Sequence, residues 1–416
     1  MDKKTTFTVF TGIAGTGKTT ALLDLYRTAL RQAQSTALPG MTLWLSPTNR
    51  AQAEVRNRLL DDSLDVVFRP NLFTFDQFAD EVLKTAPQAV APCSPAMQRV
   101  LLRRVVTELA RQKQLRHFRS IARTSGFLDL VSAFISELKR SETWPEHFAT
   151  ACAQRGGRAG DRELVLIYER YQQALLAANV YDGEGRFWSA RTALADGHWG
   201  RFANLSLVVI DGFTDFTEAQ FKILELLADQ VGQMYLSLLT AAEVARRDLF
   251  AKTAAVLKRL QRLGTPEFRV FPRESGLQAA VKHSQSDGAG IAARALPPAI
   301  AHISRNLFVN PREVSRSSDA DGVEVVAVAG SIGEVRYLAA RVKQLLLEGV
   351  APDDIVVAVR DLDEYAVLIE EIFSAAGLPF ACEAGLPGSR LAPVKALFNL
   401  LSLEAEDWPF ARLMAL

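Results

Sequence analysis

Three glycines, a lysine and a threonine in Gly12-Ile13-Ala14-Gly15-Thr16-Gly17-Lys18-Thr19 carry the spacing of a phosphate-binding loop. Gly12, Gly15 and Gly17 let the backbone close around phosphate oxygens with its N–H groups turned inward, and a following helix N-terminus adds partial positive charge. Lys18 is placed to reach the β and γ phosphates and Thr19 to offer its hydroxyl to Mg²⁺; Thr16 and Thr20 complete the cradle. The chemistry implied is the holding of a nucleoside triphosphate, ATP with Mg²⁺. A second carboxylate fits the same site. The apolar run Leu205 to Ile210 ends in Asp211, the pattern of a buried parallel strand that delivers an aspartate to the metal.

Positioning these groups requires a strand, a loop and a helix in that order. Phe7 to Phe10 alternates as a buried strand and Lys18 to Leu30 carries apolar residues at helical spacing. A second strand, Met41 to Leu45, follows the Pro39-Gly40 turn. At its end Ser46-Pro47-Thr48-Asn49-Arg50-Ala51 enters a helix, at the edge where parallel sheets bind ligands. Thr48, Asn49 and the free N–H groups there suit nucleic-acid phosphates. They equally suit plain N-capping.

The 416 residues are 49% hydrophobic and 23% charged, ordinary for a globular protein with room for about two to four domains. With 48 basic and 47 acidic residues the net charge is +1, so any affinity for DNA has to come from local patches. Cys93, Cys152 and Cys382 are too scattered for a metal cluster and fit a reducing compartment. No apolar signal segment opens the chain and no stretch approaches a membrane span, so a cytoplasmic protein without a membrane partner is expected.

Thr48-Asn49-Arg50-Ala51 with Glu54-Val55 and Arg58 resembles the strand-contacting motif Ia of superfamily 1 DNA helicases. Phe73-Thr74-Phe75-Asp76-Gln77-Phe78 is similar to their motif Ib, with Asp76 in place of histidine. That variant, with Gly126-Phe127, Glu137-Leu138-Lys139-Arg140 and the Tyr168 to Tyr171 helix, resembles the AddB subunits of bacterial AddAB (RexAB) helicase-nucleases. The resemblance implies DNA contacts at Thr48, Asn49, Arg50, Thr74 and Phe75. It further implies a heterodimer with an AddA-type motor and nuclease subunit, acting on single strands and duplex ends in break resection and recombinational repair.

Three departures from the motor pattern stand out. Where motors follow the metal aspartate with a glutamate base, this chain has Gly212-Phe213-Thr214-Asp215, and Asp215 or Glu218 would have to substitute from a turn away. No glutamine precedes Gly12 to read adenine. After the strand Met234 to Leu238, Leu239-Thr240-Ala241-Ala242-Glu243 replaces the element that links ATP to DNA. A degenerate ATPase site is therefore expected; an autonomous motor and a nucleotide-stabilised scaffold are the competing readings.

The resulting fold expectation is a RecA-like α/β domain with a parallel sheet in two parts, 1–78 and 201–263, interrupted by a helical insertion over 79–200. A linker-like segment over 264–318 and the start of a second RecA-like lobe over 319–416 follow. In the insertion, Arg99, Arg103, Arg104, Arg111, Lys113, Arg116, Arg119 and Arg123 read either as a solvated face or as a backbone-tracking surface. Trp144, Phe148, Phe187 and Trp188 could stack on bases, although such aromatics more often fill a helical core. In the second lobe, strands are expected at Gly322 to Val328 and Asp354 to Val359, with a helix over Ile332 to Leu347. Arg360 resembles the motif IV arginine that reaches the γ-phosphate, and pairing with Asp361 or Asp363 is the alternative. The last residues, Arg412 to Leu416, fall within an amphipathic helix. The chain is therefore expected to be an N-terminal fragment, without the nuclease module and iron-sulfur cysteines that the resemblance assigns to the C-terminal region.

Overall fold

The computed structural model describes residues 6–35, 42–61, 64–85, 91–240, 248–271, 297–382, 391–403 and 408–414. The Pro39-Gly40 turn, Ala241 to Glu243 and the final two residues lie outside them.

A strand buried on both faces must be apolar at nearly every position, and the first strands obey this. β1 (Thr6–Gly12) leads through the glycine loop into α1 (Lys18–Ser35), and β2 (Thr42–Ser46) is buried along its whole length before α2 (Asn49–Leu59). The short β3 (Leu72–Thr74) runs directly into α3 (Phe75–Leu83). The chain returns to the sheet at β6 (Leu207–Ile210), followed by α9 (Glu218–Gln230), β7 (Gln233–Leu239), α10 (Ala251–Leu260) and β8 (Glu267–Val270). These six strands pair entirely in parallel in the order β3-β2-β6-β7-β1-β8. This is a RecA-like α/β fold.

Alternation sorts the strand residues between two cores. Phe10, Trp44, Leu207 and Val209 pack with Leu22, Leu23 and Tyr26 of α1 and Val55 and Leu59 of α2. Their neighbours Val9, Leu43, Leu45, Val208, Ile210, Leu236 and Leu238 face α3 and α9 on the other side. Helices on both faces leave the carboxyl ends of the strands as the open edge.

Between α3 and β6 lie α4 (Pro95–Arg111), α5 (Ser125–Arg140), α6 (Pro145–Gln154), α7 (Ala159–Ala177) and α8 (Gly183–Ala195), with β4 (Ala91–Pro92) and β5 (Val180–Tyr181) as a short parallel clip. α4, α5 and α7 build a core of their own around Val106, Leu109, Val131, Ile135, Ile167 and Tyr168. α8 does not share it. Phe187, Trp188, Ala190 and Leu194 of that helix pack on the core under α3 and α9, so it belongs to the layer covering the sheet. Trp144 stacks on Trp188 with ring centroids 3.9 Å apart, and Phe187 and Trp188 are buried, so these aromatics are core rather than base platforms.

Two further expectations are corrected. The segment read as a linker from 264 contributes β8, an edge strand on β1 whose four residues are all exposed; residues 272–296, with Gly276 and the Ser284 to Gly290 stretch, lie outside the described residues. The second difference concerns the unit formed by Pro297–Ile300 and Ser317–Leu416. Its helices Gly330–Leu347 and Leu362–Ala375 pack through Val335, Ala339 and Val342 against Ile369 and Phe373. Neither Gly322 to Val328 nor Asp354 to Val359 is a paired strand among the described residues. A strand exists only through a hydrogen-bonded neighbour, and Val325 and Val356 are instead exposed at 94% and 71%.

Candidate functional site

The loop after β1 closes on itself through its lysine. Lys18 Nζ donates to the carbonyls of Gly12 at 2.9 Å and Ile13 at 2.6 Å, and Thr16 Oγ1 donates to Ile13 O at 3.0 Å. A Cβ on Gly12 would stand 2.5 Å from the carbonyl oxygen of Phe271, which follows β8, so no side chain fits there. Gly15 and Gly17 turn the chain at φ +77° and +86°. α1 begins at Lys18, which puts the positive end of an eighteen-residue helix behind the loop.

β7 separates β1 from β6, and the groups on either side meet across it. Thr19 Oγ1 donates to Asp211 Oδ2 at 2.8 Å, over 192 residues of sequence. On the other side Ser237 of β7 donates to Asp211 Oδ1, and the N–H of Gly212 donates to Ser237 Oγ at 3.1 Å. Burial pushes the Asp211 carboxyl above its ordinary range, against the opposing pull of Ser237, Thr19, Lys18 and Arg58. Burial likewise pushes the Lys18 ammonium down, with Asp211 opposing. A hydroxyl and a carboxylate side by side, with a buried ammonium in the same loop, are the hard oxygen donors and the cation that Mg²⁺ and phosphate require.

The carboxylates available to replace a motor's base are engaged elsewhere. Glu218 pairs with Arg259 of α10 at 2.8 Å, and Asp215 Oδ1 accepts the N–H of Phe216 at 2.8 Å. Gly212 itself sits at φ +81°, in the left-handed region that favours glycine.

A second cluster lies where β2 and β3 end. Thr48 caps α2, accepting the N–H of Ala51 at 3.1 Å, and Thr48, Asn49 and Arg50 are exposed. Thr74 caps α3 in a capping box with Gln77. Gln77 joins the two helix starts: its amide donates to Asn49 Oδ1 at 3.1 Å, and its carbonyl oxygen accepts from Gln52 at 2.7 Å and from the N–H of Thr74 at 3.1 Å. Arg58, near the far end of α2, donates to Thr20 Oγ1 at 2.9 Å, so one helix touches both clusters.

Phe75 is corrected as a DNA contact. Its ring is 3% exposed and packs edge-on against Phe213 and Phe216, because α3 must bury its apolar face on the sheet. Asp76, in the place of the helicase histidine, pairs with Arg186 of α8 at 2.6 Å. Arg360, in the other unit, is exposed and has no ion pair among the described residues; Asp361 caps the helix Leu362–Ala375 instead. The arginines and lysine of the α4–α5 region are all exposed, with Arg99 paired to Asp129 and Arg111 to Glu108.

Sequence reasoning did not single out Ser237, or the joining roles of Gln77 and Arg58. Gln77 had a signal, the Thr-x-x-Gln of a capping box. Ser237 had a weak one, a lone hydroxyl in an apolar strand.

A family model for the N-terminal region of AddB matches residues 9–274. The chain belongs to the AddB N-terminal family. It is similar to proteins named as the B subunit of an ATP-dependent helicase/deoxyribonuclease. The one from Desulforudis audaxviator is 26% identical over 413 residues, covering 96% of this chain and 34% of the relative. Those from Pelotomaculum thermopropionicum and Thermoanaerobacter sp. are 26% and 25% identical, with the same shares covered. The chain thus spans about a third of the length of the curated relatives it matches. No helix among the described residues is long and apolar enough to cross a membrane.

Proposed function

We propose that this chain is the ATP-holding, single-strand-DNA-binding part of a helicase-nuclease subunit, with an ATP site that binds but does not itself drive unwinding. The observation that carries this reading is the Thr19–Asp211 hydrogen bond behind the glycine loop, followed immediately by Gly212. When bound, Mg²⁺·ATP would supply the charge and bound-state energy that a P-loop enzyme couples to conformational change. Lys18 and the loop N–H groups would hold the phosphates, and Thr19 and Asp211 the metal. A water at the γ-phosphate would find no carboxylate at position 212, while Glu218 and Asp215 are already committed to Arg259 and to the backbone of Phe216. A family partner of AddA type would then carry the active motor, and the heterodimer would act in the cytoplasm on duplex ends during break resection and recombinational repair.

The exposed Thr48-Asn49-Arg50 start of α2 supports strand binding, since a helix N-terminus with short polar side chains suits phosphates. The test is the salt dependence of single-strand affinity in the full-length chain. Arg50→Ala is expected to weaken binding and to lower the log–log salt slope by about 0.7, one phosphate contact on a single strand. Unchanged affinity and slope in an Asn49→Ala/Arg50→Ala double variant would refute the DNA assignment.

A further inference from the structure

A cavity of about 800 Å³ opens between α5, α6, α7 and α8, on the far side of the insertion from its own core and apart from both clusters described above. Its walls include the stacked pair Trp144 and Trp188, together with Lys139, Asp182 and Gln172. Volumes of this size are ordinary for small-molecule sites.

The charged groups in the wall need nothing from a ligand. Lys139, 1% exposed, donates to Asp182 at 2.7 Å and lies 5.4 Å from the centroid of the Trp188 ring. Asp182 also accepts Tyr171 Oη at 3.2 Å and the N–H of Gly185 at 2.8 Å, where it caps α8. Two neutral groups are different. The indole Nε1 of Trp188, a residue 4% exposed, and the carbonyl oxygen Oε1 of Gln172 are both buried and have no hydrogen-bond partner. One is a donor, the other an acceptor, and leaving either unmade is costly. Glu146, Glu169 and Asp196 also line the cavity, so phosphate is repelled.

We infer that this cavity binds a neutral planar heteroaromatic of nucleobase size, whose edge accepts from Trp188 Nε1, donates to Gln172 Oε1, and whose face lies against Trp144. Half-buried Trp144 already stacks on Trp188 through one face, leaving aromatic surface for a second ring. A nucleoside fits this description; a nucleotide or a DNA strand is disfavoured by the acidic lining.

The full-length chain is titrated calorimetrically with each of the common nucleosides and their 5′-monophosphates, with and without saturating Mg²⁺·ATP. At least one nucleoside is expected to bind saturably at one site, to bind equally with ATP present, and to lose affinity as its monophosphate. Trp188→Phe, which keeps the ring and removes the donor, and Gln172→Leu are each expected to weaken it about five- to tenfold. Gln172 is only half-buried, so that variant reports even if the tryptophan substitution compromises folding. The inference is overturned if no nucleoside binds saturably, if ATP displaces it, or if Gln172→Leu binds with wild-type affinity. In those cases the two groups are met by water.

Discussion

Gly212 offers the sharpest test of why this site departs from a motor. The residue lies at φ +81°, and its N–H is tied to Ser237, which in turn donates to Asp211, so the backbone cannot relax without disturbing the metal carboxylate. A Cβ there would stand 3.5 Å from Pro47 Cδ and Cγ, an ordinary contact, so the cost of a side chain is conformational rather than steric. Placing an L-residue in the left-handed region costs about 1–2 kcal/mol. Restricting the unfolded chain gives back about 0.4–1 kcal/mol for Gly→Ala. Gly212→Ala should therefore lose roughly 1 kcal/mol, Gly212→Asn less because Asn tolerates that region, and Gly212→Glu about as much as Ala while producing no ATP turnover. Urea denaturation of the three variants, with turnover assays on the same preparations, measures this. A Gly212→Ala protein as stable as wild type, or a Gly212→Glu protein that turns over ATP, would refute the reasoning.

Three other outcomes are expected. Asp182→Ala leaves Lys139 buried and unpaired and removes the cap of α8, so chemical denaturation should show a loss of about 3–5 kcal/mol, much of it recovered in Lys139→Met/Asp182→Asn. Gln77→Ala breaks the ties among Asn49, Gln52 and Thr74 and should cost about 1–2 kcal/mol while weakening single-strand binding at fixed salt; unchanged DNA affinity would detach that cluster from DNA. Because the folded pKa of Asp211 is raised, the folded state holds its proton to higher pH than the unfolded chain, and the penalty of the buried charge grows as pH rises above the ordinary carboxylate value. Asp211→Asn should thus be more stable than wild type at neutral pH without nucleotide, with the gain vanishing below about pH 4. Saturating Mg²⁺·ATP should reverse the order, and a pH-independent difference would contradict the assignment.

What the sequence made legible was local. The glycine loop, its flanking strand and α1 follow from residues within one turn of each other, and Asp211 is readable because an apolar run of strand length ends in a single carboxylate. The two-sided sheet follows from strands apolar at nearly every position. What was not legible depended on partners far along the chain. Ser237 matters only because β7 is inserted between β1 and β6, and Arg58 only because α2 lies beside α1. β8 carries no burial pattern, since all four residues are exposed and the strand exists by pairing with β1 alone. Phe75 illustrates the opposite failure: a motif resemblance offered its ring to DNA, while the amphipathic demand of α3 buried it against Phe213 and Phe216. In the second unit, the apolar runs near Val325 and Val356 had strand composition but no pairing neighbour among the described residues.

The central claim, a nucleotide site that holds but does not drive, is tested most directly by measuring ATP binding and ATP turnover on the same full-length chain, with and without single-stranded DNA, beside Lys18→Ala. The account predicts Mg²⁺-dependent binding that Lys18→Ala abolishes, with no turnover stimulated by DNA. Lys18-dependent turnover of about one per second or more, within the enzymatic range, would contradict it and make this chain a motor in its own right.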